Sequence, residues 1–160
     1  MASYRMGNCS VRGMTVRNVM RLRLPSLSVN EGMARAAVAA FCVQTDLSAT
    51  ELADIKCAVS EGVTNCIVHA YRDTIGEIQL TVTIFDQGLI RIEIKDRGCG
   101  IEDVRQAREP LYTTDREGER SGMGFTVMES FCDGVRVSSA PQRGTTVMLF
   151  KRIGARVLTT

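Results

Sequence analysis

The sequence predicts an α+β two-layer sandwich, a mostly antiparallel sheet of four or five strands with three helices over one face. Three observations predict it. Apolar residues alternate with polar ones at Ile78, Leu80, Val82 and Ile84, and again at Ile90, Ile92 and Ile94. Asp86-Gln87-Gly88 separates the two runs, which is the pattern of a β-hairpin with one buried face. Ile55, Val59, Cys66, Ile67 and Ala70 recur at helical spacing and form the apolar stripe of a long helix. Alternation returns at Val135 and Val137, and at Val147 and Leu149, around the turn Ala140-Pro141-Gln142-Arg143-Gly144.

The elements follow in order. Residues 1–19 have no clear period and are expected to be a disordered leader or an extra N-terminal segment. Met20, Leu22 and Leu24 alternate with Arg21 and Arg23 as a half-buried strand, which Pro25 ends. Ser28 and Glu31 stand at the spacing of a capping box. The helix behind it is expected to run to about Gln44, with Met33, Ala37, Ala40 and Phe41 toward the core. Ser48 and Glu51 form a second capping box, opening a helix over 49–71. Residues 102–121 are polar and poor in core side chains, and a loop of that length is usually functional. Gly122-Met123-Gly124 leads into a third helix with Phe125, Met128 and Phe131 inward. One domain is expected over 20–152, with a tail at 153–160.

Composition narrows the function. A chain of 160 residues is one domain with room for a core. With 20 basic and 18 acidic residues it lacks the concentrated positive charge of a dedicated nucleic-acid binder. The longest apolar run, Ala36 to Val43, is far below the ~20 residues of a membrane span. The N-terminus carries no signal-peptide pattern. The 6 cysteines make no CxxC pair, and the single histidine leaves no Cys/His zinc set. Reduced thiols and a cytoplasmic location are expected.

Chemistry concentrates in three places. Glu61, Asn65 and His69 share a helical stripe. A carboxylate one turn from a carboxamide can hold a divalent cation with a water beside it, although such pairs are common on solvated faces. Asp96-x-Gly98-x-Gly100 closes the second hairpin strand; its glycines permit close approach of a flat ligand, and its carboxylate can accept from an amine. Alone it is also ordinary turn chemistry. Gly122-Met123-Gly124 precedes a helix, whose free N–H groups favour phosphate. Each motif is weak singly; in this order, with a long loop between the last two, they are the parts of a nucleotide site.

With Gly144-Thr145-Thr146, these motifs resemble the N, G1, G2 and G3 boxes of the gyrase/Hsp90/histidine-kinase/MutL-type ATPases. Asn30-Glu31-Gly32-Met33-Ala34-Arg35, Val59 to Asn65 and Arg120 to Phe125 resemble the sporulation anti-sigma F factors more closely, a family of protein-serine kinases. The resemblance spans about residues 20–150. It implies ATP and Mg²⁺, with Asn65 as the metal ligand and Glu61 as the general base for an acceptor hydroxyl. Asp96 would accept from the adenine amine, Gly98 and Gly100 would lie beside the base, and Thr145 would support it. Residues 102–121 would form a lid, bringing Thr113, Thr114, Arg120 and Ser121 to the nucleotide. Gly122, Met123, Gly124 and Phe125 would offer backbone N–H groups to the phosphates. The family has Lys after the lid Thr-Thr pair; here that position is Asp115, followed by Arg116.

The implied partners are a sporulation sigma factor and an anti-anti-sigma protein carrying the acceptor serine. Glu31 and Arg35 are the implied contacts, and a homodimer is the implied assembly. Direct nucleic-acid and membrane binding are not expected. Two other readings are a regulatory module that holds nucleotide without kinase activity and a histidine-kinase-like ATPase domain. The latter needs an upstream acceptor histidine, which residues 1–19 lack.

Overall fold

The alternation of the sequence becomes a six-stranded antiparallel sheet in the computed structural model, which describes residues 2–6, 10–109 and 123–154. The strands are β1 (Ala2–Met6), β2 (Val16–Pro25), β3 (Glu77–Phe85), β4 (Leu89–Lys95), β5 (Gly134–Ala140) and β6 (Gly144–Arg152). They lie in the order β1-β5-β6-β4-β3-β2. The helices are α1 (Asn30–Cys42), α2 (Ala49–Asn65) and α3 (Gly124–Phe131), and α2 continues into a π-helical turn at Cys66–Ala70. This is the expected antiparallel α+β sandwich.

The β3–β4 hairpin closes with Ile84 opposite Ile90, and its turn places Gln87 and Gly88 at positive φ. Inward side chains of β3, β4, β5 and β6 meet α1, α2 and α3 in one buried cluster. From the sheet it takes Ile78, Leu80, Val82, Ile92, Ile94, Val135, Val137 and Leu149, and from the helices Val38, Ile55, Val59 and Met128. Burial of such side chains contributes about 1.5–3 kcal/mol each, which holds the helices to this face.

Three expectations are corrected. Residues 1–19 are not a disordered leader throughout: 2–6 pair with β5 as an edge strand, and β2 begins at Val16 rather than Met20. Val11 and Met14 pack on the sheet face away from the helices, against Phe85, Leu89 and Phe150. The Ser28 capping box does not form; Val29 is the N-cap of α1, with no side-chain cap. The carboxylate of Glu31 is instead engaged by Ser60 on α2. The core face of α1 is Ala34, Val38 and Cys42, while Met33 stays 48% exposed. Small residues are buried here because α1 lies close against α2, a spacing that excludes long side chains.

The second capping box is present in full, Ser48 Oγ accepting from the Glu51 N–H and Glu51 accepting from the Ser48 N–H. Its helix ends earlier as an α-helix than expected, because the wide turn at Cys66–Ala70 intervenes. Such turns re-aim backbone groups, and here the Ala70 carbonyl accepts from the Cys99 N–H at 3.1 Å. Cys42, Cys57, Cys66 and Cys99 are free thiols. No helix among the described residues is long and apolar enough to cross a membrane.

Candidate functional site

A cleft of about 1040 Å³ opens between α2, α3 and the ends of β4 and β6. That volume suits a nucleotide-sized ligand. Glu61, Asn65 and His69 line one wall, and Asp96, Gly100 and Thr145 the floor. Met123, Gly124 and Phe125 line the opposite end. The sequence-predicted residues Thr113, Thr114, Arg120, Ser121 and Gly122 lie outside the described residues, as do Asp115 and Arg116.

Asp96 anchors the floor. It is 5% exposed at the end of β4. Its Oδ1 accepts from the Gly98 N–H at 2.9 Å and from the Thr145 N–H at 3.2 Å. Its Oδ2 faces the Cys66 thiol, a long weak contact at 3.7 Å, and keeps acceptor capacity. Burial pushes the Asp96 carboxyl above its ordinary range, against the pull of the two backbone donors and the thiol. Burial first, and then the Asp96 charge, push the Cys66 thiol well up, so that it stays a neutral donor.

The glycines serve packing more than ligand access. A Cβ on Gly98 would overlap the Ala70 carbonyl oxygen, and Gly98 does not line the cleft. Gly100 has φ +74°, and a Cβ there would overlap the Ala140 carbonyl oxygen. The loop is therefore clamped between the π-helical turn and the β5–β6 turn.

Gly124, the first residue of α3, brings the other two motifs together. A Cβ there would lie 3.1 Å from Glu61 Oε2 and 3.2 Å from Asn65 Oδ1. The start of α3, where free N–H groups favour anions, thus faces the carboxylate and the carboxamide. Among the described residues no group of three or more His, Cys, Asp or Glu side chains could cage a metal. Mg²⁺ does not require one, because it keeps several waters and takes one or two protein ligands beside substrate phosphates. Asn65 Oδ1 fits that mode.

Two features escaped the sequence reading. Ser139 is 1% exposed and accepts from the Ile101 N–H at 2.8 Å. Its Oγ lies 3.0 Å from the Gly144 carbonyl and 2.8 Å from Thr145 Oγ1. The signal was a hydroxyl at an inward position of the alternation Val135-x-Val137-x-Ser139. Gly62 was also missed; a Cβ there would overlap the Ile94 side chain, so glycine lets α2 lie close on β4.

Glu31 and Arg35 form an ion pair one turn apart at 3.5 Å. Ser60 joins them: its hydroxyl donates to Glu31 Oε1 at 2.5 Å and accepts from Arg35 Nη1 at 3.3 Å. The pair is therefore tied to α2 at the residue before Glu61, with Arg35 still partly exposed.

The histidine kinase-like ATPase domain family matches residues 24–151. The chain is 52% identical to an anti-sigma F factor of Caldanaerobacter subterraneus subsp. tengcongensis, over 88% of this chain and 98% of that one. It is 46% identical to the anti-sigma F factor of Bacillus subtilis, over 86% of this chain and 94% of that one. The structure of the RsbU and RsbW domains of Rv1364c from Mycobacterium tuberculosis is similar at a TM-score of 0.63 and 20% identity. That match covers 86% of this chain and 33% of the other, and it bears on the fold alone.

Proposed function

Because the chain belongs to the anti-sigma F factors within the histidine kinase-like ATPase family, we propose that it sequesters a sporulation sigma factor and phosphorylates a serine of its anti-anti-sigma partner with ATP. The observation that carries the kinase reading is the meeting of Glu61, Asn65 and the first residue of α3 at Gly124. A module that only held nucleotide would need no carboxylate at that point.

The roles follow from the donor and acceptor count. Asp96 Oδ2 accepts from the adenine amine, and Thr145 supports the same edge of the base. The N–H groups at Met123, Gly124 and Phe125 receive the phosphates at the start of α3. Glu61 takes the proton of the acceptor serine while the serine oxygen bonds to the γ-phosphorus and ADP leaves with the bridging oxygen. Mg²⁺, when bound at Asn65, neutralises charge on the phosphate oxygens. Glu31 and Arg35 contact the protein partners, and Ser60 ties that pair to α2, the helix that carries the base. Competition of both partners for Arg35 releases the sigma factor by displacement. The family reading also makes the working form a cytoplasmic homodimer.

The test is transfer from labelled ATP, with Mg²⁺ and a candidate anti-anti-sigma protein. Label on a partner serine is expected. Glu61→Gln should keep nucleotide binding and cut transfer by roughly 10²-fold or more, the scale of a lost general base. Asn65→Ala should weaken Mg²⁺-dependent binding itself. If both variants bind and transfer normally, the stripe on α2 is a solvated face and the kinase reading fails.

A further inference from the structure

We propose that Ser139 is a positioning residue for base selection: by fixing the hydroxyl proton of Thr145 it makes that oxygen an acceptor, and so favours a 6-amino over a 6-oxo purine. The inference rests on the reading of the cleft as an ATP site.

The argument is a count of protons. Ser139 Oγ has one to give and three neighbours within hydrogen-bond distance: the Ile101 N–H, the Gly144 carbonyl and Thr145 Oγ1. The Ile101 N–H can only donate, so Ser139 accepts there. The Gly144 carbonyl can only accept, so the Ser139 proton goes to it at 3.0 Å. Were Ser139 to donate to Thr145 instead, its contact with the Gly144 carbonyl would hold no proton, whereas the Thr145 hydroxyl can turn about its own C–O bond so that all three contacts are hydrogen bonds. The 2.8 Å contact is therefore made by Thr145 donating to Ser139. With its proton committed, Thr145 Oγ1 offers lone pairs alone to the cleft it lines.

The neighbouring group has the same polarity. The Thr145 N–H holds Asp96 Oδ1, while Asp96 Oδ2, in long weak contact with the Cys66 thiol at 3.7 Å, keeps acceptor capacity. Two acceptors side by side match the amine of adenine. They repel the carbonyl at the same place in hypoxanthine. Ser139 lies behind Thr145, buried and outside the cleft, so it acts through Thr145 and touches no ligand.

Loss of the Ser139 hydroxyl would release the Thr145 proton. Thr145 could then donate to a 6-oxo group, and discrimination would relax. The probes are ATP and inosine triphosphate, titrated with Mg²⁺ into the full chain. In Ser139→Ala the preference for ATP over inosine triphosphate is expected to fall about tenfold. Ser139→Thr, which keeps the hydroxyl, should retain it. Loosening of the Ile101 loop would weaken both nucleotides alike and leave the ratio unmoved, so the ratio separates positioning from structure. In a Thr145→Val background, Ser139→Ala should no longer change the ratio. If Ser139→Ala does not fold, Ser139→Cys, a weaker donor, is expected to lower the ratio partway. An unchanged ratio in the folded variant, or a change that persists without the Thr145 hydroxyl, overturns the inference while leaving the ATP site intact. Failure of the unsubstituted chain to bind ATP at all overturns the site reading, and this inference with it.

Discussion

Replacing Gly124 by alanine separates the stability of this chain from its chemistry. Gly124 does not adopt a left-handed φ, so its backbone accepts a side chain without strain. Alanine is also the better helix former, by roughly 0.5–1 kcal/mol. The new methyl would sit 3.1 Å from Glu61 Oε2 and 3.2 Å from Asn65 Oδ1. Both distances are shorter than an ordinary contact of about 3.5–4.0 Å, so the two side chains must yield by a few tenths of an ångström. They are side-chain ends on an open cleft, and yielding costs the fold little. Chemistry is less tolerant: productive geometry is held within about 0.5 Å, and a displacement of about 1 Å costs about 10²-fold. A shift of this intermediate size should slow transfer about tenfold. Transfer rate at saturating Mg²⁺-ATP and the melting temperature of the same sample are the two readouts. The expected result is slower transfer with melting unchanged or raised. Normal transfer would refute the placement of the base beside α3, and a parallel fall of rate and melting temperature would refute the separation.

Four further outcomes follow from the same geometry. Asp96→Asn should weaken ATP binding about tenfold or more, by roughly 1.5–3 kcal/mol, because the carboxylate acceptor would become a neutral amide whose N–H₂ cannot accept. The Asp96 carboxyl sits above its ordinary 3.8 through burial, so the folded chain binds the extra proton in the interval between. Stability from this group thus falls as pH rises through that interval and is least above it, while ATP affinity falls on acidification through it; calorimetric titration across pH should show the affinity change in the native chain and none in Asp96→Asn. Gly98→Ala should destabilise by about 1–3 kcal/mol or more, read as a lowered urea midpoint, because its methyl meets the Ala70 backbone, which cannot rotate away. Arg35→Ala should weaken both the sigma factor and the anti-anti-sigma protein by ~2 kcal/mol or more at constant ATP affinity, an interface-anchor effect beyond the ~0–1 kcal/mol of its surface pairing with Glu31, measured by titrating each partner.

The hairpin and the α2 stripe were legible because their periods are local and their apolar faces are buried as the pattern requires. β1 was not, since it is an edge strand whose partner, β5, lies more than a hundred residues away in the chain. Sequence pattern cannot weigh a pairing so remote. Ser28 and Glu31 carried a capping signature, but a tertiary partner, Ser60, drew the carboxylate away. On α1 the buried positions are Ala34, Val38 and Cys42, one place on from the expected Met33 and Ala37, because small side chains pack where helices approach closely and Met33 does not; Phe41 packs against the core as expected. In the site, Asp96, Asn65 and Glu61 stood out by motif, whereas Ser139 gave only one polar residue in an apolar series. The reason for the box glycines also lay beyond sequence: Gly98 and Gly100 are held by carbonyls of Ala70 and Ala140, contacts between segments that only folding brings together.

The central claim is that the cleft selects an adenine nucleotide through a buried acceptor at Asp96. Titration of the full chain with ATP and with GTP, at equal Mg²⁺ and pH, tests it most directly. A preference for ATP of about tenfold or more is the predicted result, since the 6-oxo group of guanine cannot donate to Asp96 and loses a charge-assisted hydrogen bond. Equal affinity for the two nucleotides would contradict it.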